Sequence, residues 1–82
     1  MEKSDFLKPQ DRVSVKVYGP DDAVVYEGSG EGYHRIEQVV EEAAAKAPGV
    51  NPEDCVFEVS NEQTGVSHRY RINAHGNLKL IV

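Results

Sequence analysis

Residues 33–47 read YHRIEQVVEEAAAKA. Tyr33, Ile36, Val39, Val40, Ala43, Ala44 and Ala47 recur at the spacing of one buried helix face, with Glu37, Glu41 and Glu42 between them. On both sides of this stretch the period changes to two. Val13, Val15 and Val17 alternate with polar residues upstream. Downstream, Cys55/Phe57/Val59, Val66/His68/Tyr70/Ile72 and Leu78/Leu80/Val82 do the same. A helix with one apolar stripe needs a sheet with one apolar face to cover. The chain therefore predicts a two-layer α+β domain, one helix on a mainly antiparallel five-stranded sheet in the order ββαβββ.

The turns sharpen this reading. Gly19-Pro20-Asp21-Asp22 closes a first hairpin. Pairing Tyr18 with Ala23, Val17 with Val24 and Val15 with Tyr26 gathers Val13, Val15, Val17, Val24 and Tyr26 on one face. Gly28-Ser29-Gly30-Glu31-Gly32 then reads as a flexible link, with Glu31 near the helix amino terminus, where a carboxylate suits the dipole. Glu42 and Lys46 stand four apart in the favourable order, and Pro48-Gly49 ends the helix. Asn51-Pro52-Glu53-Asp54 has the form of a capped single turn. Pairing 54–60 with 65–72 sets Phe57 opposite His68 and Cys55 opposite Tyr70. Asn73-Ala74-His75-Gly76-Asn77 suits a hairpin loop with Gly76 at the left-handed position. It places Ile72 opposite Leu78, Tyr70 opposite Leu80 and His68 opposite Val82.

The 82 residues fit a single domain at 11–82, preceded by a mobile lead-in at 1–10 from which Phe6-Leu7 can dock on the domain edge. A hydrophobic content of 39% is that of a globular protein. The net charge of −5 disfavours non-specific attraction to nucleic acid or an anionic membrane. One cysteine rules out an internal disulfide framework. Met1-Glu2-Lys3-Ser4-Asp5 lacks the apolar run of a signal peptide, and no stretch approaches the ~18 apolar residues of a membrane span. A cytoplasmic protein is expected.

The order ββαβββ over residues 12–82 resembles, in outline, one-helix sheet folds such as the β-grasp class. Ubiquitin-like and sulfur-carrier members of that class use a carboxyl-terminal Gly-Gly tail as their reactive group. This chain ends Leu80-Ile81-Val82 within an expected strand, so that chemistry does not carry over.

Few residues are arranged for catalysis. Gly28, Gly30 and Gly32 could free backbone N–H groups for a phosphate, but the spacing matches neither nucleotide-binding fingerprint. Cys55 and His68 both point inward and could lie diagonally across adjacent strands, yet their apolar neighbours favour an inert thiol. His34, His68 and His75 fall on different elements without zinc-ligand spacing. Glu41-Glu42 and Asp21-Asp22 are sequence neighbours whose side chains diverge. No cofactor, metal or catalytic group is expected, and the chain is read as not an enzyme.

The sheet face away from the helix is the better candidate. Arg12, Ser14, Lys16 and Tyr18 project there from the first strand, Arg69 and Arg71 from the fourth and Lys79 from the fifth. Arg71 falls opposite Lys79, a like-charge pair that costs stability unless screened. Asp54 can flank Arg71, Glu27 and Glu58 dilute the patch, and Val25, Val56 and Ile81 add apolar area. An ordinary solvated face has the same composition. As a functional surface, Arg12, Lys16, Tyr18, Arg69, Arg71, Lys79 and Ile81 point to a non-catalytic binding or adaptor module for a protein partner. The alternatives are a small enzyme or cofactor-binding protein using Cys55/His68 or the 28–32 loop, and single-stranded nucleic-acid binding on the basic face. Strand 78–82 is apolar enough to need a neighbour. Either it is internal, paired beside Val13/Val15/Val17, or it is a dimer or peptide-docking edge, and strand order stays open; burial is favoured, hence a monomer, with a weak dimer the alternative.

Overall fold

The computed structural model describes residues 7–47, 49 and 51–81. The strands are β1 (Val13–Tyr18), β2 (Val24–Gly30), β3 (Val56–Asn61), β4 (Ser67–Ile72) and β5 (Leu78–Leu80). They form one antiparallel sheet in the order β2-β1-β3-β4-β5. Helix α1 (Ile36–Lys46) follows β2 and packs chiefly on β1 and β2. The expected α+β architecture is present.

Helix α1 forms where its stripe predicts. Val39, Val40 and Ala43 are buried, and Tyr33, Ile36, Ala44 and Ala47 pack around them. Gln38 Oε1 accepts the N–H groups of His34 and Arg35 at 2.6 and 3.1 Å, satisfying donors that the first turn leaves open. The first-turn carboxylate is Glu37. Glu31 lies ahead of the helix and faces Arg12 instead, 3.5 Å from Nη1. Lys46 reaches Glu42 at 3.4 Å, as the spacing anticipates. Gly49 adopts a left-handed φ of 67° beyond the helix, while the stop expected at Pro48 lies outside the described residues.

The strand order, open in the sequence, places the last strand away from β1, at odds with its favoured burial there. β1 lies between β2 and β3, with Val13, Val15 and Val17 opposite Asn61, Val59 and Phe57. β5 therefore has β4 as its neighbour and forms an edge, and Leu80 remains 55% exposed. The physical reason lies in β3, whose Phe57 and Val59 are fully buried beside β1. That larger apolar strand takes the central place, and the three-residue β5 suits an edge. His68 was expected opposite Val82, which lies outside the described residues.

Two hairpin registers also differ. In the first, Val17 faces Tyr26 and Tyr18 faces Val24, with an irregularity between Val17 and Tyr18. Gly19 N–H binds the Ala23 carbonyl at 2.8 Å, Asp22 takes a φ of 67°, and the extra residue bulges β2. Val24 is consequently exposed and Val25 packs on the core, the reverse of simple alternation. β2 also continues through Gly28 and Gly30, opposite Val15 and Val13, so these glycines are strand rather than flexible link. A Cβ on Gly28 would lie 2.9 Å from Tyr26 Cζ, and one on Gly30 3.1 Å from Tyr33 Oη. The glycines leave room for two tyrosine rings against the edge strand.

In the second hairpin Phe57 faces Tyr70 and Val59 faces His68, two residues from the expected pairing. A two-residue slip preserves the faces, so the core survives it. Asn61 explains the slip. Its Oδ1 accepts the N–H groups of Gln63 and Thr64 at 2.8 and 3.3 Å, its N–H binds the Val66 carbonyl, and its carbonyl accepts from Gly65. Its Nδ2 donates to Asp11 Oδ2 at 2.8 Å, and both side chains are buried. The third hairpin has the expected register, with Arg71 opposite Lys79, Ile72 opposite Leu78 and Gly76 at φ 83°.

Residues 7–12, ahead of β1, are tied to the domain. Leu7 packs on the core, Asp11 N–H binds the Lys8 carbonyl at 2.9 Å, and Gly32 N–H binds the Pro9 carbonyl at 2.9 Å. Phe6 lies outside the described residues.

Candidate functional site

The sheet face opposite the helix is built in rows, because antiparallel pairing places facing residues on the same side. One row is hydroxyl: Ser29, Ser14, Ser60 and Ser67 run across β2, β1, β3 and β4. Ser60 and Ser67 share a hydrogen bond of 2.7 Å, and Ser29 Oγ accepts from Arg12 Nη2 at 3.2 Å. The next row alternates in charge: Glu27, Lys16, Glu58 and Arg69 on the same four strands. Opposite charges facing each other across a sheet are mutually stabilising. Beyond it come Val24, Tyr18 and Val56, then Arg71 and Lys79 on β4 and β5.

Glu58 joins the last two rows. Its Oε1 accepts from Tyr18 Oη at 3.0 Å and its Oε2 from Arg69 Nε at 3.4 Å. The Arg69 guanidinium lies 5.8 Å from the Tyr18 ring centroid. The hydrogen bond to Glu58, helped by burial, pushes the Tyr18 phenol above its usual range. Tyr18, Asp22, Val56 and Arg69 line an open cleft of about 260 Å³ at this corner. Asp22 enters it through the left-handed turn.

Of the residues singled out from the sequence, the structure brings Lys16, Tyr18 and Arg69 together and sets Arg71 and Lys79 beside them. Ile81 follows β5, 37% exposed, with its N–H on the Arg69 carbonyl at 2.9 Å. Arg12 stands apart at the serine end, held by Glu31 and Ser29. Val25 is absent from this face because of the bulge. Asp54 makes no ion pair with Arg71, and among the described residues no carboxylate lies within ion-pair distance of Arg71 or Lys79.

The serine row and Asp22 were missed in the sequence. Their signal is present: each of the four strands carries a serine two residues from a charged side chain, in Ser14/Lys16, Glu27/Ser29, Glu58/Ser60 and Ser67/Arg69. Only the register aligns them.

The other candidates are dispersed. Cys55 is fully buried, its Sγ 3.5 Å from the Asn51 carbonyl, and burial followed by the nearby Asp54 pushes the thiol up. His68 stands opposite Val59, four residues along from Cys55, with its Nδ1 3.3 Å from Tyr70 Oη. The pairing expected to bring thiol and imidazole together is not formed. At 28–32, Gly28 and Gly30 belong to β2 and the Gly32 N–H is taken by Pro9, so the loop does not open donors toward an anion. Among the described residues no three His, Cys, Asp or Glu side chains gather as a metal site requires. No helix among them is long and apolar enough to cross a membrane.

No family model, no curated protein and no solved structure matches this chain.

Proposed function

We propose that this chain is a non-catalytic binding module of the cytoplasm that docks an acidic surface of a protein partner on the β4–β5 end of its outer sheet face. One observation carries the reading. Arg71 and Lys79 face each other across β4 and β5 without a carboxylate within ion-pair distance, among the described residues. The other cations of the face have counter-charges: Arg69 binds Glu58 and Arg12 binds Glu31, while Lys16, which makes no ion pair among the described residues, has carboxylates directly across from it on both neighbouring strands, Glu27 and Glu58. A like-charge cross-strand pair costs stability, no described carboxylate offsets it through an ion pair, and an acidic ligand would relieve it. The cleft at Tyr18 and Val56 supplies apolar footing beside the charges. Nucleic acid is the poorer occupant, given a net charge of −5 and a Tyr18 hydroxyl held by Glu58.

The test is affinity capture from the source cell with the wild type and an Arg71→Glu/Lys79→Glu variant in parallel. Proteins retained by the wild type and lost by the variant, in a salt-sensitive manner, support the reading. Identical retention by both would remove this face from consideration.

A further inference from the structure

We propose that the open edge of β5 accepts an extended segment of another protein as a sixth strand, one that alternates carboxylate and apolar side chains. This rests on the acidic-partner reading above and specifies the form of the partner.

The backbone shows which groups are offered. In an antiparallel ladder, residues that bond the neighbour alternate with residues that point away. Asn73 N–H binds the Asn77 carbonyl at 3.0 Å and Ile81 N–H binds the Arg69 carbonyl at 2.9 Å. Positions 77, 79 and 81 therefore face β4, and the N–H and C=O groups of Leu78 and Leu80 face an edge that no other described strand covers. Such groups are a template for a further strand. The opposite edge, β2, is blunted by its bulge and by Gly28 and Gly30.

Side chains specify what the added strand should carry. On the helix side Leu78 is half-buried and Leu80 is 55% exposed, so residues placed opposite them should be apolar. On the outer side Lys79 projects beside Arg71, and a carboxylate opposite Lys79 supplies the counter-charge this row lacks. A second copy of this chain is the less suitable occupant. Self-pairing would bring another Arg71–Lys79 pair to an edge where no described carboxylate lies within ion-pair distance of either residue.

The experiment is fluorescence anisotropy with a labelled, end-capped peptide of alternating valine and glutamate, about six residues long to match a typical strand. Saturable binding by the wild type is expected, with no binding of the valine–lysine counterpart. Lys79→Glu should weaken the complex about tenfold, equivalent to about 1.4 kcal/mol. Leu80→Pro should weaken it at least as much, because it deletes an outward N–H while leaving the bonds to β4 in place. Added antiparallel, as every strand pair of this sheet is, the peptide turns its valine N–H groups toward Leu78 and Leu80, so N-methylation at the valines asks the same question without altering the protein and should abolish binding.

Undiminished binding by Leu80→Pro and by the methylated peptide would overturn strand addition. If Lys79→Glu still weakened that binding, the acidic-surface reading would stand without it. Failure of the wild type to bind the valine–glutamate peptide would also overturn strand addition, leaving the capture experiment to judge the face independently. A mass near twice 9.1 kDa that Leu80→Pro halves and the peptide cannot compete would assign the edge to a second copy and refute the proposal.

Discussion

Replacing Asn61 with alanine should cost this small domain a large share of its stability. The carboxamide is fully buried and its Nδ2 donates to a carboxylate oxygen of Asp11 at 2.8 Å, across a separation of 50 residues. Its Oδ1 also accepts from Gln63 and Thr64 at 2.8 and 3.3 Å. A hydrogen bond to a charged group contributes about 1.5–3 kcal/mol, and a neutral one about 0.5–1.5 kcal/mol, less at the longer distance. Alanine also leaves Asp11, 6% exposed, without this donor. The expected loss is about 3 kcal/mol. A domain of 82 residues has roughly 4–12 kcal/mol in all. Urea unfolding followed by circular dichroism should show the midpoint lowered by about 1–3 M at unchanged slope. The cycle through Asp11→Ala and the double variant should return a coupling of about 1.5–3 kcal/mol, since the double variant removes the stranded carboxylate as well. An Asn61→Ala variant within about 0.5 kcal/mol of wild type would refute the claim that this pair staples the segment before β1 to the β3–β4 turn.

Tyr33 and Cys55 yield further expectations. The Tyr33 hydroxyl donates to Glu42, which pushes its pKa from 10.0 up to about 12 and holds the Glu42 carboxyl below its usual 4.5. A raised tyrosine pKa stabilises the fold below pH 10 and is lost as pH climbs from 10 to about 12, whereas the lowered glutamate contributes above pH 4.5 and is lost on acidification. Both groups reach solvent, so Tyr33→Phe should cost only about 0.2–1 kcal/mol between those limits and nothing above pH 12. Alkaline unfolding curves that run parallel for both proteins would contradict this. The Cys55 thiol, buried and with its pKa pushed up, should react with a maleimide near neutral pH only at the rate at which the domain opens. Rapid labelling of the folded protein would revive the thiol-based alternative.

How much was legible in the sequence follows from the range of the interactions involved. Element type is a local property. The stripe from Tyr33 to Ala47 and the alternation around Val15, Phe57, Tyr70 and Leu78 each bury one face at their own period, whatever lies beside them. The Asn73–Asn77 hairpin was legible for the same reason, since its turn is closed by its own residues: Asn73 Oδ1 accepts from His75 and Asn77. Even the Arg71–Lys79 pair, the centre of the candidate site, follows from that one turn.

The remaining features depend on partners far along the chain. Asn61 moved a register by two residues, closing the β3–β4 turn as part of a network whose other end is Asp11. The place of β5 was a competition between two apolar strands for one position beside β1. Periodicity is blind to that contest, because Val59 and Leu80 have the same phase. Burial of Phe57 and Val59 decided it in favour of β3, and only this left Leu78 and Leu80 with an open edge. The charge ladder of Glu27, Lys16, Glu58 and Arg69 came from the same decision, since residues from four strands align only when strand order and register are both set. Local periodicity determined what each segment is; long-range burial and hydrogen bonding determined what each segment faces.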